Sequence, residues 1–396
     1  MRSEKFATVA QFITIVIAYS IIVAPTANAV ERIIVGIDDK VAFTTKGIEK
    51  IAPKQDYICF IDISKNPATP VVEHQIELEN SVFGPPTNLA ITPNEKLALV
   101  ANAVTWVEKD GVWDAEPDNE IHIIDLTGKK PKIIDTLKGD LQPSGMAISS
   151  NGKLAAVANR KGQSVTLLRI KGKRVKILDD VKIGVEVSAV AFTPNGKRIL
   201  ASQFSNHKVA VIDIVDYQLV YQKEQDITVG LWPYNLQISP DGRYALTANN
   251  GNGGLPDGHI DTISVIDLQQ EPPRTVDHIV VGDGPEGLAI SPKGDLVAVP
   301  LLQGSAPTFE NTFFHNKHGG LVILALNKLE FKEVARFNIG GFPEGVVFSE
   351  DGKWLYVGNL LDNNISVFSI DGQTVKDTGY KIPLPGQPAS MRSRNP

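Results

Sequence analysis

Cysteine is almost absent from this 396-residue sequence, in which Cys59 stands alone. A single thiol excludes an intramolecular disulfide, a Cys-x-x-Cys-His haem attachment, an iron–sulfur cluster with several ligands from this chain, and a cysteine-rich zinc site. Cys59 sits in the apolar run YICFIDIS and reads as a small buried hydrophobe rather than a reactive thiol. A basic excess is missing as well: 39 Lys and Arg stand against 45 Asp and Glu, a net charge of −6. A duplex-binding protein carries the opposite balance, so nucleic acid is not an expected partner. No Gly-x-Ser-x-Gly elbow, Walker phosphate loop, His-Glu-x-x-His helix or calcium-loop phrase occurs. Beyond residue 29 no apolar run is long enough to cross a bilayer, and no segment keeps a convincing 3.6-residue apolar period. What is present is punctuation: 33 Gly and 25 Pro, against an average of about 12% for the two together.

The N-terminus has the form of a targeting segment. Arg2 and Lys5 precede a mostly apolar stretch, Phe6 to Val23, followed by Pro25 and the small-x-small site Ala27-Asn28-Ala29. This predicts a secretory signal over residues 1–29, cleaved after Ala29, and a protein of residues 30–396 in the periplasm or outside the cell. The competing reading is an uncleaved anchor, since about 18 apolar residues barely span a bilayer. The Ala-x-Ala site with Pro before it favours cleavage.

The rest of the chain repeats one phrase. Its copies are PTNLAITPNEKLALVANA from Pro86, PSGMAISSNGKLAAVANR from Pro143, VSAVAFTPNGKRILASQF from Val187, PYNLQISPDGRYALTANN from Pro233, PEGLAISPKGDLVAVPLL from Pro285 and PEGVVFSEDGKWLYVGNL from Pro343, with a short seventh, PASMRSRNP, from Pro388. The spacing of about 50 residues is that of a propeller blade. Each copy is an apolar strand, a turn such as Asn151-Gly152 or Asp241-Gly242, and a second strand; Asn-Gly and Asp-Gly supply the positive φ of a tight hairpin. A third strand ends in apolar-Asp (IHIIDL, VAVIDI, ISVIDL), and a more polar fourth leads to the next Pro. Four antiparallel strands per unit predict an all-β propeller of seven blades. The seventh copy supplies only an innermost strand, while RIIVGIDDKVAFT, DYICFIDIS and VVEHQIELE at the start supply three. The two ends are therefore expected to share one blade and close the ring, leaving no open sheet edge.

The copies resemble the YVTN-type repeat of bacterial exported β-propellers, including the lactonase-like ones. Ser239-Pro240-Asp241-Gly242 and Leu355-Tyr356-Val357-Gly358-Asn359 come nearest the family phrase, and Asn102, Asn159 and Asn249 hold the same strand-end place, which Gln203 and Leu301 do not. The resemblance covers residues 30–396. It implies the propeller fold and, for lactonase members, polar and charged residues near the channel mouth. One fold hosts many activities.

Whatever recurs in every blade does the same job in every blade. The strand-end Asn residues and the Asp residues ending the third strand (Asp62, Asp125, Asp213, Asp267) are therefore read as architecture. Function is sought in the departures. Three long insertions join second and third strands: VTWVEKDGVWDAEPDNE with Trp106 and Trp113, NGNGGLPDGHID with Asp257, His259 and Asp261, and QGSAPTFENTFFHNKHGG with Glu310, His315 and His318. A meander places them at the same end as Trp232, Tyr234, Glu286 and Glu344, and long loops on a rigid scaffold commonly carry function. Ligand contact is assigned to Trp106, Trp113, Trp232, Tyr234, His315 and His318. Acid–base chemistry, if present, falls to Glu286, Glu344, His207 and His259. Asp257, His259, Asp261 and Glu310 are the candidates for a divalent metal, zinc or calcium; solvated loop polar groups are the rival reading, and no other cofactor is indicated.

Three functions stay open. The first is a monomeric, non-catalytic binder of a small molecule or protein through the elaborated face. The second is a lactonase-type hydrolase that opens a cyclic ester at the channel mouth. The third is a supporting subunit of a periplasmic quinoprotein or electron-transfer complex. The regularity of the scaffold and the missing catalytic phrases favour the first.

Overall fold

The computed structural model describes residues 30–394 except 82–83 and 328–329. The expected signal segment and its expected cleavage site lie outside the described residues. The described chain is all-β, with three single-turn 3-10 helices as the only helical elements. Seven antiparallel sheets make the blades, each a run of four strands, with a short fifth strand, Ile227–Thr228, in blade 3. Blade 1 runs from Leu89–Ile91 to Lys132–Lys138, blade 2 from Pro143–Ile148 to Arg174–Lys182, and blade 3 from Val187–Phe192 to Gln218–Tyr221. Blade 4 runs from Pro233–Ile238 to Arg274–Gly282, blade 5 from Ala289–Ile290 to Glu330–Ile339, and blade 6 from Pro343–Phe348 to Thr374–Pro383. In the closing blade Pro388–Arg392 pairs with Arg32–Ile37, which continues to Tyr57–Asp62 and Val72–Glu77. The shared blade read from the two ends is thus present.

Burial explains the strand composition. Inner strands are covered on both sides, and Pro143–Ile148 and Leu154–Asn159 are buried almost throughout. Outer strands alternate or lie open, as in Arg174–Lys182. The core is divided among the blade junctions. Blades 1 and 2 share one apolar cluster, 2 and 3 the next, and so on round the disc. The closing blade packs against blade 6 through Val35, Cys59 and Tyr356, and against blade 1 through Ile34, Phe60 and Leu99's neighbour Val100. Cys59 is fully buried there, and desolvation pushes its thiol up to about 12, which keeps it inert.

The two faces of the disc differ. On the lower face the first and second strands of blades 1 to 6 meet in tight turns, and in blades 2 to 6 Gly152, Gly196, Gly242, Gly294 and Gly352 hold φ near +70° there. Each turn is locked by a hydroxyl, as when Ser239 Oγ donates to Asp241 Oδ1 at 2.7 Å and Ser349 Oγ to Asp351 Oδ1 at 2.7 Å. On the upper face the repeated Asn side chains staple the second strand to the third. Asn159 Nδ2 donates to Ser164 and Thr166 hydroxyls, Asn249 Nδ2 to Thr262 and Ser264, and Asn359 Nδ2 to Asn364 and Ser366. The Asp residues of the third strand hold local turns: Asp62 accepts from Ser64 and Asp125 from Thr127, while Asp213 instead pairs with Arg198. Both sets are architectural.

Two sequence readings are corrected. VTWVEKDGVWDAEPDNE is not a loop: Leu97–Lys109 and Val112–Asp125 continue as one long hairpin, because the alternating apolar and polar residues keep the two-residue period beyond the disc. RIIVGIDDKVAFT is not one strand. The chain leaves the blade at Ile37 and forms a separate hairpin, Val41–Thr44 with Gly47–Lys50, on the upper face.

Candidate functional site

The second residue of each copy, one position after the repeated Pro or Val, is the variable point of the innermost strand: Thr87, Ser144, Ser188, Tyr234, Glu286, Glu344 and Ala389. The next residue explains why the strands can crowd so close. A Cβ on Gly287 would lie 2.1 Å from the Glu344 carbonyl oxygen, one on Gly145 2.5 Å from that of Ser188, and one on Gly345 2.7 Å from Met391 Cβ. Glycine there lets adjacent innermost strands touch, and the variable side chains are drawn together at the upper end of the axis.

The polar part of that end is built by Tyr234 and Glu286 on neighbouring blades, Glu344 on the next, and Arg160 reaching in from blade 2. Glu286 is 5% exposed and Tyr234 8%. Burial pushes the Glu286 carboxyl up to about 8, against Asn250, the Arg160 charge and the Tyr234 hydroxyl, which favour its ionised form. Even so, Glu286 Oε2 and Asn250 Nδ2 are buried without completing a hydrogen bond among the described residues. Glu344 also lies well above the ordinary carboxyl range, through desolvation first and then the negative charges of Glu286 and Asp38. Two raised carboxyls that feel each other hold a proton at neutral pH. Burial, Glu286 and Glu344 likewise hold the Tyr234 hydroxyl in its neutral form, and Arg160 bonds to it.

Aromatic rings form the wall beside this group. Phe204 packs against Trp232 and Tyr234 with ring centres 4.9 and 5.3 Å apart, and the Arg160 guanidinium lies 4.4 Å over the Phe204 ring. Arg160 Nε also reaches Glu186 Oε2 at 3.3 Å. His207 is spoken for: its Nδ1 accepts the Trp232 backbone N–H at 3.0 Å.

The insertions do converge, and the unforeseen hairpin joins them. Gly258 of the blade 4 loop abuts Phe313 and Phe314 of the blade 5 loop. Leu302, Ala306 and Phe309 of that loop cluster with Phe342, Leu360, Ala389 and Phe43 of the hairpin, Phe43 and Phe342 being 4.6 Å apart. Lys50 at the hairpin's far end pairs with Asp114 of the long blade 1 hairpin. An apolar cap thus covers the side of the mouth formed by blades 5 and 6 and the closing blade.

The other candidates are placed elsewhere. Trp106 and Trp113 are half-buried neighbours on the blade 1 hairpin, and Trp106 Nε1 is buried without a partner among the described residues. His315 Nδ1 bonds the Gly304 carbonyl at 3.1 Å and so pins its own loop; His318 is exposed. His259 is 81% exposed beside Asp257. Asp283, which was not singled out, accepts the N–H groups of Asp257 and Gly258, and Asp261 accepts that of Gly284. Burial first, then Asp283 and Asp257, raises Asp261 to about 6. These carboxylates hold the loop. Glu310 lies exposed on the adjoining insertion, and among the described residues no three His, Cys, Asp or Glu side chains gather into a group able to hold a metal.

Sequence reading missed Arg160, Asn250 and Phe204. Each directly follows a strand-two end, the place held by Asn159, Asn249 and Gln203. The position after the repeated Asn varies from blade to blade, and that variation was the available signal.

Comparisons agree with the fold. The sequence model of one family, the WD40 domain of anaphase-promoting complex subunit 4, matches residues 146–234. No curated protein matches the chain in sequence. Among solved structures, a Bacteroides uniformis protein provisionally named a 6-phosphogluconolactonase superposes with a TM-score of 0.68 at 15% identity, over 92% of this chain and 99% of its own. The periplasmic gluconolactonase PpgL of Pseudomonas aeruginosa gives 0.63 at 18%, over 92% and 99%. Hydrazine synthase of Kuenenia stuttgartiensis gives 0.61 at 19%, over 80% and 91%. The class is therefore a seven-bladed β-propeller, shared with lactonases and with proteins of other activities.

Proposed function

We propose that this protein is a lactonase-type hydrolase whose reaction centre is the Glu286–Glu344 carboxyl pair. The observation that carries the reading is the buried, unsatisfied Glu286 Oε2, set beside a second raised carboxyl, a neutral tyrosine and an arginine. A carboxyl tuned near neutrality is suited to proton transfer at the pH where the protein works. In this reading one ionised carboxylate of the pair takes a proton from water as the water oxygen bonds to the lactone carbonyl carbon. The oxyanion lies against Arg160 and the Tyr234 hydroxyl. The bond from that carbon to the ring oxygen then breaks, and the protonated carboxyl passes its proton to the ring oxygen, leaving an open hydroxy acid. The rings of Phe204 and Trp232 offer a face to a sugar ring.

The charges at the mouth favour an uncharged lactone over a phosphorylated one. Its cations carry acids of their own: Arg160 pairs with Glu186, and buried Lys40 with Asp38 and Asp56. The resemblance to YVTN-type exported propellers, the N-terminal segment and the periplasmic gluconolactonase neighbour support a periplasmic location. Glucono-δ-lactone at neutral pH, followed by acid release, tests the activity. Turnover is expected to fall by about a hundredfold or more in Glu286→Gln and in Glu344→Gln, and to rise in the parent protein as pH rises towards about 8 and the carboxylate base forms. Absence of turnover across a panel of neutral sugar lactones, with retained lactone binding, would leave a non-catalytic binder instead.

A further inference from the structure

The lower end of the axis is a different environment. The first strands of blades 1 to 5 end around a cavity of about 310 Å³, walled by Ile91, Ile148, Phe192 and Ile238 among other apolar residues. Two arginines line it: Arg394, which pairs with Glu350, and Arg392, the last residue of the innermost strand of the closing blade. Arg392 is 8% exposed, yet no ion pair or hydrogen bond of its guanidinium is formed with any described residue. The carboxylates at this end serve other groups: Glu95 accepts from the Arg32 backbone and side chain, and Glu350 pairs with Arg394. The remaining polar side chains of the wall are also engaged. Gln237 Oε1 accepts the Ile290 N–H at 2.9 Å, Ser150 donates to the Pro194 carbonyl, and Ser239 donates to Asp241. Desolvation alone acts on the Arg392 charge and brings it down to about 10.

A buried guanidinium with five unused donors is costly unless something pairs with it. We infer that the lower end of the channel is a binding site for a small amphiphilic carboxylate, its carboxylate on Arg392 and its apolar body along the Ile91, Ile148, Phe192 and Ile238 wall. The planar fork of one guanidinium matches one carboxylate. A phosphate would leave its further charge and oxygens unpaired against the same apolar wall. From Glu286 to Ile290 the innermost strand rises about 13 Å, so this site is separate from the carboxyl pair.

Octanoate is the probe, with 1-octanol as its neutral counterpart and inorganic phosphate as a non-apolar anion, each titrated into the whole protein by calorimetry and by thermal shift. Octanoate is expected to bind and raise Tm, with octanol at least tenfold weaker and phosphate without effect. Arg392→Met is expected to weaken octanoate at least tenfold and erase its advantage over octanol; Arg392→Lys keeps part of it. Glu286→Gln is expected to leave octanoate binding unchanged. Equal binding of octanoate and octanol, binding of phosphate in place of octanoate, or no binding by the parent protein overturns the inference. So does octanoate binding that emerges only after residues 395–396 are removed, because the chain would then fill the cavity itself.

Discussion

At the scale of single residues, burial decides which polar groups carry stress. Glu286 and Asn359 are both buried at strand ends on the upper face, yet their circumstances are opposite. Asn359 accepts from the Gly340 N–H at 3.0 Å and donates to Asn364 and Ser366 at 2.7 and 2.8 Å. Asn359→Ala strands three partners and is expected to cost about 2–3 kcal/mol, read by denaturant unfolding. Glu286 instead weakens the fold as pH rises. Its carboxyl ionises near 4.5 in the unfolded chain and at about 8 in the folded one. The unfolded state therefore releases its proton first, and stability falls between those two values. Glu286→Gln is expected to flatten that slope and to melt several degrees higher than the parent at pH 8. A variant whose melting tracks the parent at every pH between 5 and 8 would show that Glu286 ionises normally.

At the scale of elements, the innermost strands depend on contact between backbones. Gly287 has no room for a methyl group beside the Glu344 carbonyl, whereas Gly172, in a turn at φ +61°, has nothing within 4 Å of its would-be Cβ. Gly172→Ala is expected to cost about 1 kcal/mol, the strain of a left-handed alanine. Gly287→Ala forces two strands apart; a loss of at least about 3 kcal/mol, or failure to fold, is expected. Similar losses for the two variants would mean that the strands are less crowded than described. The same crowding accounts for the recurrence of Pro-x-Gly in the copies from Pro143, Pro285 and Pro343: glycine serves the packing, and the residue between is left to vary.

At the scale of the whole molecule, the ring stands on seven blade junctions, and two of them need both ends of the chain. Pro388–Arg392 completes the closing blade by pairing with Arg32–Ile37, and Met391 joins the cluster shared with blade 6. Removing residues 388–396 leaves an open edge and uncovers apolar surface on both neighbours. The full chain is expected to melt in one cooperative transition. The truncated chain is expected to melt at least ten degrees lower or to associate; an unchanged transition would show that the terminal strand contributes nothing to closure.

Residue order alone determined the architecture. The recurring Pro, the Asn-Gly and Asp-Gly turns and the apolar-Asp strands are local rules written once per blade, so reading them needed no knowledge of distant contacts. The shared closing blade was legible from what each end lacked, and the meander placed Glu286, Glu344 and Tyr234 at the same end as the insertions. Tertiary structure decided what those residues do. Arg160 lies 126 residues before Glu286 in sequence, and only the closing of the disc brings the two into one low-dielectric space, where burial moves a carboxyl to about 8. The hairpin at Val41–Lys50, the occupation of Asp261 and Asp283 by backbone N–H groups, and the lone guanidinium of Arg392 were equally hidden. Repetition records what every blade must do for itself, whereas a site at the axis depends on side chains from several blades and on the water that their packing excludes.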